Sequence, residues 1–196
     1  MGRLEHSIAI RPCAGERCSG DVAVIREIDG TTILAAIVDV TGHGYEASKT
    51  AAQIESFLQN CLPAGAELIM SRLHDTLIGT QGASVGLCLI DTESGSLEYM
   101  ATGNTVFKRY GEHDVQLVSR DGIVGLNMNA PQVQKLALNN RDLVLMHTDG
   151  ISSKFRFESG SSALHQQTSV ITNKLIRDFG KDHDDAGCIA LRYRDH

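Results

Sequence analysis

The stretch GDVAVIREIDGTTILAAIVDVTGHG, residues 20–44, determines the fold that we predict for this chain. Two apolar, β-branched runs, 22–25 and 31–38, flank Asp29-Gly30, a dipeptide typical of β-hairpin turns. A two-residue loop makes the numbers of paired residues sum to 59, and a three-residue loop makes them sum to 60. With either loop, Asp21 and Asp39 lie opposite each other or one step apart, at the open end of the hairpin.

Two carboxylates at the end of an apolar hairpin are unfavourable unless something compensates their charge. Like charges that face each other across a strand pair repel, and burying an unpaired carboxylate costs free energy. A bound cation would remove this cost. The alternative is that both acids are ordinary strand-end residues that accept hydrogen bonds from turn amides. The hairpin alone leaves both interpretations open.

Two further acidic positions lie beside apolar runs. Asp149 follows one strand-like run, and Asp184-Asp185 precedes another. If these strands are neighbours, the acids gather at one end of the sheet. Oxygen ligands favour hard ions such as Mg²⁺ or Mn²⁺ over zinc or copper. A two-metal site of this kind activates a water and neutralises a phosphoryl group, although four unrelated strand-end acids remain the alternative.

Composition indicates one globular domain. The 196 residues suffice for a sizeable core, and the net charge of −6 gives no bulk attraction to nucleic acid or anionic membrane. The chain has no long apolar run, and its first residues do not resemble a signal peptide. Its five cysteines include no C-x-x-C pair. We therefore expect a cytoplasmic protein with free thiols and no structural zinc.

The rest of the chain alternates strand and helix patterns. A helix with one apolar stripe follows the hairpin, and Pro63 suits the start of a second helix. Strand patterns then follow, and we predict that runs 133–138 and 142–146 pair through a turn at Asn139-Asn140. A later helix carries Leu164, Ile171 and Leu175, and a strand around Cys188 closes the chain. Tight turns predict mostly antiparallel sheets covered by helices.

Six short blocks occur along the chain in a recognisable order: Gly20-Asp21, the run from Asp39 to Gly44, Gly103-Asn104, Gly125-Leu126, Thr148-Asp149-Gly150 and Asp184-Asp185. In this order they resemble the metal-dependent PPM serine/threonine protein phosphatases, in the SpoIIE-like branch. The length and the Gly82-Ala83-Ser84 segment are similar to the small stressosome feedback phosphatases of that branch. The resemblance implies an α/β (α+β) fold, a four-layer αββα sandwich of two antiparallel sheets flanked by helices. It also implies a single phosphatase domain over residues 1–196.

The resemblance also implies a site with two Mn or Mg ions. A metal-activated hydroxide would attack phosphorus directly, without a phosphoenzyme. The four catalytic carboxylates would be Asp21, Asp39, Asp149 and Asp184. The metal ligands would be these four together with the Val40 carbonyl and, as a secondary candidate, Asp185.

The phosphate-binding group and the role of one histidine are less defined. The eukaryotic relatives use an arginine before the first aspartate to bind phosphate, and both Arg17 and Arg11 are candidates. Their histidine directly follows the Asp-Gly ligand pair, whereas His43 comes four residues after Asp39. We therefore interpret His43 as part of a tight helix entry, and His147 as a core residue near the site.

By resemblance, the partners would be phosphorylated STAS-domain proteins of a bacterial stress-signalling complex, and we expect a monomer that binds neither nucleic acid nor membrane. We also expect no attached sensory domain, so that a partner or the protein's abundance controls it. One alternative is a pseudo-phosphatase that binds phosphoprotein without cleaving it. Another is a serine hydrolase, because residues 82–86 match G-x-S-x-G around Ser84, with Asp149 and His165 or His183 following. That motif requires a strand before the serine and a helix after it, whereas the pattern here is the reverse.

Overall fold

The computed structural model describes residues 3–130, 132–157 and 161–195 of the chain, and it contains two antiparallel sheets of five strands each. The first sheet has the order β1-β10-β9-β6-β7, and the second has the order β2-β3-β4-β5-β8. The strands of the first sheet are β1 (Arg3–Arg11), β6 (Val106–Tyr110), β7 (Val115–Leu117), β9 (Leu143–His147) and β10 (Ala186–Arg194). Those of the second are β2 (Asp21–Glu27), β3 (Thr32–Val40), β4 (Ala83–Asp91), β5 (Ser96–Thr102) and β8 (Gln134–Ala137).

Within the part of the chain that the structure describes, three α-helices cover the outer faces of the sheets: α1 (Gly44–Asn60), α2 (Ala66–Leu77) and α3 (Thr168–Phe179). Helices α1 and α2 pack on the second sheet, and α3 packs on β1 and β10 of the first. Each helix buries one apolar stripe, as the 3.6-residue period requires. None of the helices within the described residues is long and apolar enough to span a bilayer.

Three apolar clusters fill the spaces between these four layers. The central cluster lies between the sheets and includes Ile37 and Tyr99 from one sheet and Phe107 and Ile189 from the other. A second cluster lies between the second sheet and helices α1 and α2. The third lies between the first sheet and α3. The αββα sandwich predicted from the sequence is therefore confirmed.

The hairpin formed by β2 and β3 has the register of the three-residue loop. Asp21 pairs with Asp39, so paired numbers sum to 60 along the hairpin. At its other end, Ile28 donates its backbone N–H to the Thr32 carbonyl at 2.9 Å, and Gly30 has a φ of 72°. The left-handed backbone of the turn requires a residue such as glycine, which explains the Asp-Gly signal.

The predicted pairing of runs 133–138 and 142–146 is wrong. The structure places β8 beside β5 in the second sheet, whereas β9 lies between β10 and β6 in the first. The Asn139-Asn140 turn therefore carries the chain from one sheet to the other.

Several element boundaries also differ from the prediction. Helix α2 begins at Ala66, three residues after Pro63. Leu164 lies in a separate 3₁₀ turn, Ser162–His165, and outside α3. Strand β1, Arg3–Arg11, precedes the hairpin.

Candidate metal centre

Four predicted carboxylates lie at one edge of the two-sheet sandwich. Asp21 begins β2 and Asp39 ends β3, and the two face each other in the hairpin. Asp149 follows the end of β9, and Asp184 precedes β10. Because β9 and β10 are antiparallel neighbours, with His147 opposite Cys188, these two acids meet at the same edge of the first sheet.

Glycines allow the acidic segments to approach closely. A Cβ at Gly150 would overlap the backbone carbonyl of Asp185, so glycine is needed where the segment after β9 crosses the segment before β10. A Cβ at Gly187 would lie 3.1 Å from an oxygen of Asp21. The carboxylate of Asp21, from the second sheet, therefore lies against the backbone of the first. The two pairs of acids meet across the cleft between the sheets.

The charges in this cluster raise each other's pKa values. Burial, followed by the neighbouring acids Asp39, Asp185 and Asp184, raises the pKa of Asp21 to about 8, although a hydrogen bond from Thr148 opposes this shift. Burial, followed by Asp149, Asp184 and Asp185, raises the pKa of Asp39 to about 7. Burial and Asp149 also raise the pKa of Asp184, against a weaker effect of Lys181. Negative charge is therefore concentrated here.

No ion pair compensates this charge within the described part of the chain: Lys and Arg side chains pair with other acids. The residues fit divalent ions, because clustered carboxylate oxygens are the ligands that Mg²⁺ and Mn²⁺ prefer. Across the same residues, no three His, Cys, Asp or Glu side chains are already grouped closely enough to hold one ion by themselves. Mg²⁺ commonly takes one or two carboxylates and keeps several waters, so this arrangement suits water-rich coordination.

Thr148 positions Asp21 within the cluster. Its Oγ1 donates a hydrogen bond to the Asp21 Oδ2 at 2.7 Å and accepts one from the Gly187 N–H at 3.0 Å. Thr148 is fully buried, so its hydroxyl connects the second sheet to the first without competition from water. In the sequence, Thr148 is only part of the Thr148-Asp149-Gly150 block, and no role is predicted for it.

Asp185, the secondary candidate for a metal ligand, has a different environment from the other four acids. One of its carboxylate oxygens accepts the Cys13 N–H and the other accepts the Gly20 N–H, both at 2.7 Å. Asp185 is also buried. This carboxylate therefore fixes both ends of the loop 12–20 against the start of β10, and its oxygens already have donors.

The two candidate phosphate-binding arginines also differ. The Arg11 guanidinium donates to the Lys181 carbonyl and pairs with Asp182 at 3.5 Å, so it anchors the loop before β10. Arg17 is exposed in the loop 12–20. Val40, whose carbonyl is the predicted backbone ligand, is buried at the end of β3 beside the acids.

The histidines behave as the sequence suggested. His43 immediately precedes α1, between Gly42 and Gly44 with φ values of 91° and 76°, and pairs with Glu16 at 3.4 Å. His147 is buried, its Nδ1 lies 2.8 Å from the Thr148 carbonyl, and burial lowers its pKa. His147 ends β9, and Asp149 lies beyond the strand.

Ser84 is not in the setting of a hydrolase nucleophile. It lies in β4, preceded by α2 and followed by the rest of the strand. It pairs with Asp39 in the neighbouring strand. The required order of strand, serine and helix is absent around this residue.

Asn104 is a second residue near the acids to which sequence reasoning gave no role. Its Nδ2 donates a hydrogen bond to the Asp149 Oδ2 at 2.9 Å. A single asparagine between two strands carries no periodic or spacing signal, so only its place beside Gly103 in a family block could have indicated it.

Comparison with known proteins agrees with this architecture. A family model described as Stage II sporulation protein E (SpoIIE) matches residues 29–194. The matched range includes Asp39, Asp149 and Asp184, and it begins after Asp21.

Solved structures also share the fold over nearly the whole chain. One, from work on the bacterial stressosome as a modular system adapted to control secondary messenger signalling, is 26% identical, with a TM-score of 0.89. That match covers 97% of this chain and 100% of the other. RsbX in complex with magnesium is 19% identical, with a TM-score of 0.82, over 97% of this chain and 95% of the other.

The PP2C phosphatase domain of SpoIIE from Bacillus subtilis, solved with a fragment of its regulatory domain, is 21% identical. Its TM-score is 0.75, over 97% of this chain and 63% of the other. The two sheets and their flanking helices are therefore those of the PP2C-type phosphatase fold.

Proposed function

Since the chain belongs to the SpoIIE family and has the PP2C-type phosphatase fold, we propose that it is a metal-dependent phosphoserine/phosphothreonine protein phosphatase. The activity would require two divalent ions, Mn²⁺ or Mg²⁺. The proposal treats residues 1–196 as a single catalytic domain.

The observation that carries the proposal is the convergence of four carboxylates from both sheets at one edge. Asp21 and Asp39 come from the second sheet, and Asp149 and Asp184 flank strands of the first. Their burial and mutual repulsion raise the pKa values of Asp21 and Asp39 far above those of ordinary aspartates. Proteins retain such unfavourable clusters where a cation or a reaction requires them.

Each part of the site would have a defined task. The carboxylates of Asp21, Asp39, Asp149 and Asp184, with the Val40 carbonyl, would hold the ions between the sheets. Bound divalent ions would lower the pKa of a coordinated water and neutralise charge on the phosphoryl group. Thr148 would keep Asp21 in place, and Asp185 would hold the loop 12–20 beside the cleft.

We assign phosphate binding to Arg17 in preference to Arg11. The Arg11 guanidinium is occupied by the Lys181 carbonyl and Asp182. Arg17 lies in the loop that Asp185 holds at the cleft, and its side chain is exposed. An arginine can accept phosphate oxygens in a bidentate arrangement. The Arg17→Ala variant should raise KM for a phosphopeptide more than it lowers kcat.

The substrates would be phosphorylated STAS-domain proteins of a bacterial stress-signalling complex. Two supports come from proteins of similar fold, one described with the stressosome and the other named RsbX. The net charge of −6 agrees with a protein partner in place of nucleic acid or membrane. We further propose that the protein is cytoplasmic and monomeric.

Hydrolysis of an aryl phosphate tests the reaction itself. The wild-type protein should be active with Mn²⁺ or Mg²⁺, and EDTA should abolish the activity. Asp149→Asn should lower kcat/KM by more than about 100-fold, a loss larger than that caused by outer-shell partners of a metal. The matched control is Asp29→Asn, at the opposite end of the β2–β3 hairpin, and it should retain activity.

Three results would reject the phosphatase: turnover in EDTA equal to that with metal, an unchanged rate in Asp149→Asn, or no turnover with either ion. Substrate class requires a second assay, in which a serine-phosphorylated STAS domain and an unrelated phosphoprotein are compared at equal concentration. A kcat/KM that is not higher for the STAS domain would reject the substrate assignment and leave the phosphatase intact.

A further inference from the structure

Asn104 lies where the chain crosses from one sheet to the other, directly beside the acidic cluster. Strand β5 ends at Thr102 in the second sheet, and β6 begins at Val106 in the first. Only residues 103–105 connect them. The connection therefore passes over the same cleft edge that carries the acids.

The path of this connection is fixed by close packing. Gly103 has a φ of 99°, and a Cβ there would overlap the side chain of Ser84. Ser84 is the register partner of Asp39 on the neighbouring strand. Gly103 therefore packs against Ser84, the neighbour of Asp39, and the following residue, Asn104, lies at the cleft.

The Asn104 amide contacts an acid at the edge of the first sheet. Its Nδ2 donates to the Asp149 Oδ2 at 2.9 Å. An amide NH₂ has two protons, so the second proton remains for another acceptor in the cleft.

We propose that Asn104 is a positioning residue that orients Asp149 for divalent-ion binding. This inference rests on the proposed function, because it assumes that these carboxylates bind metal. Outer-shell donors of this kind orient ligating carboxylates and tune their affinity. The Nδ2 donor holds the Asp149 carboxylate in one orientation before an ion arrives.

Calorimetric titration of the protein with Mn²⁺ tests this role directly. Asn104→Ala should weaken Mn²⁺ binding by about 10- to 100-fold relative to wild type, the range seen when outer-shell partners are removed. The matched control is Asn60→Ala: Asn60 donates to the Ser56 carbonyl at 2.8 Å in the last turn of α1, the end opposite the helix start near the acids. This control should bind Mn²⁺ as wild type does.

The melting temperature is a second readout, and it separates the hydrogen-bond donation of Asn104 from the shape of its side chain. In EDTA at pH 8, the melting temperature should fall in the order wild type, Asn104→Ala, Asn104→Asp. Alanine removes the donor to Asp149, and aspartate, which has nearly the shape of asparagine, replaces that donor with a further negative charge. Saturating Mn²⁺ should raise the melting temperature of Asn104→Asp by more than that of Asn104→Ala. An asparagine that does not face the ion site would give the two variants the same response to Mn²⁺.

The outcomes distinguish this inference from the phosphatase proposal. If the wild-type protein binds no Mn²⁺ or Mg²⁺, the metal site itself is wrong and the role of Asn104 fails with it. If wild type binds metal and Asn104→Ala binds it within about twofold, the positioning role alone is overturned. Circular dichroism of the variants confirms that each is folded, and the exposed side chain of Asn104 makes that the expected result.

Discussion

Replacing Asp39 with asparagine should stabilise the metal-free protein and at the same time remove its metal binding. Asp39 faces Asp21 across the hairpin and lies near the acids of the first sheet. Burial, and then the charges of Asp149, Asp184 and Asp185, raise its pKa from 3.8 to about 7. The ionised form is therefore unfavourable in the folded protein.

The size of this effect follows from the pKa shift. About three pKa units at about 1.4 kcal/mol per unit amount to about 4 kcal/mol. For an acid whose pKa is raised on folding, the cost is absent below the unfolded pKa near 3.8, grows with pH and is complete above about pH 7. At pH 5 it is only about 1.5 kcal/mol.

Part of the stability gained by removing this charge is offset, because the buried asparagine is still polar and the remaining acids relax when one charge is removed. We therefore expect the free energy of unfolding of Asp39→Asn to exceed that of wild type by about 2 kcal/mol at pH 8. For a chain of this length, such a gain in stability raises the melting temperature by about 4–8 °C. At pH 5 the melting temperature should rise by less than half of this amount.

The assay is thermal unfolding in EDTA at pH 5 and pH 8, with Asp29→Asn as control. Asp29 lies at the exposed turn of the same hairpin, where asparagine can still accept the Thr32 N–H. The control should not gain stability at pH 8. With saturating Mn²⁺ the wild type should gain stability and Asp39→Asn should not. A lower melting temperature for Asp39→Asn at pH 8, or an equal gain at both pH values, would refute the reasoning.

Two further substitutions test the groups that hold the site. Asp185→Ala removes a buried carboxylate that accepts two backbone N–H groups, and it should lower the free energy of unfolding in urea by about 3 kcal/mol. A change within about 0.5 kcal/mol, the size typical of surface substitutions, would contradict the anchoring role of this carboxylate. Thr148→Val keeps the shape of the side chain but leaves Asp21 without its 2.7 Å donor. It should therefore lower the free energy of unfolding by about 1–3 kcal/mol and also lower phosphatase activity. Thr148→Ser should keep most of the stability and activity, and failure to do so would show that the hydroxyl is not the important group.

The sandwich was implied by the family resemblance, whereas the position of the first two acids was predicted for a physical reason. The β2–β3 hairpin is local: an Asp-Gly turn and two apolar runs define the register, with only the loop length left open. The hairpin has the three-residue loop, which brings Asp21 directly opposite Asp39. The apolar stripe of α1 was equally local, and the structure buries its residues Ala47, Ala51, Ile54 and Leu58.

The errors occurred where local signals do not determine the partner of a strand. Asn139-Asn140 is a turn signal, and β8 and β9 flank it, yet the two strands belong to different sheets. A turn indicates a change of direction but carries no information about which sheet receives the next strand.

The supporting residues of the site were missed for a related reason. Thr148 and Asn104 act through hydrogen bonds to residues 127 and 45 positions away in the chain. Neither the hydroxyl nor the amide has a distinctive spacing, and both contacts exist only after the two sheets have packed together. The acids themselves were predictable because ionised side chains beside apolar strands are unusual.

The most direct test of the account is a crystal of the protein soaked in Mn²⁺, with anomalous diffraction data that locate the metal. We predict two anomalous peaks in the cleft between the sheets, each within coordination distance of carboxylates among Asp21, Asp39, Asp149 and Asp184. Absence of any peak there, with those carboxylates turned away from one another, would contradict the claim that the acids converge to bind shared ions.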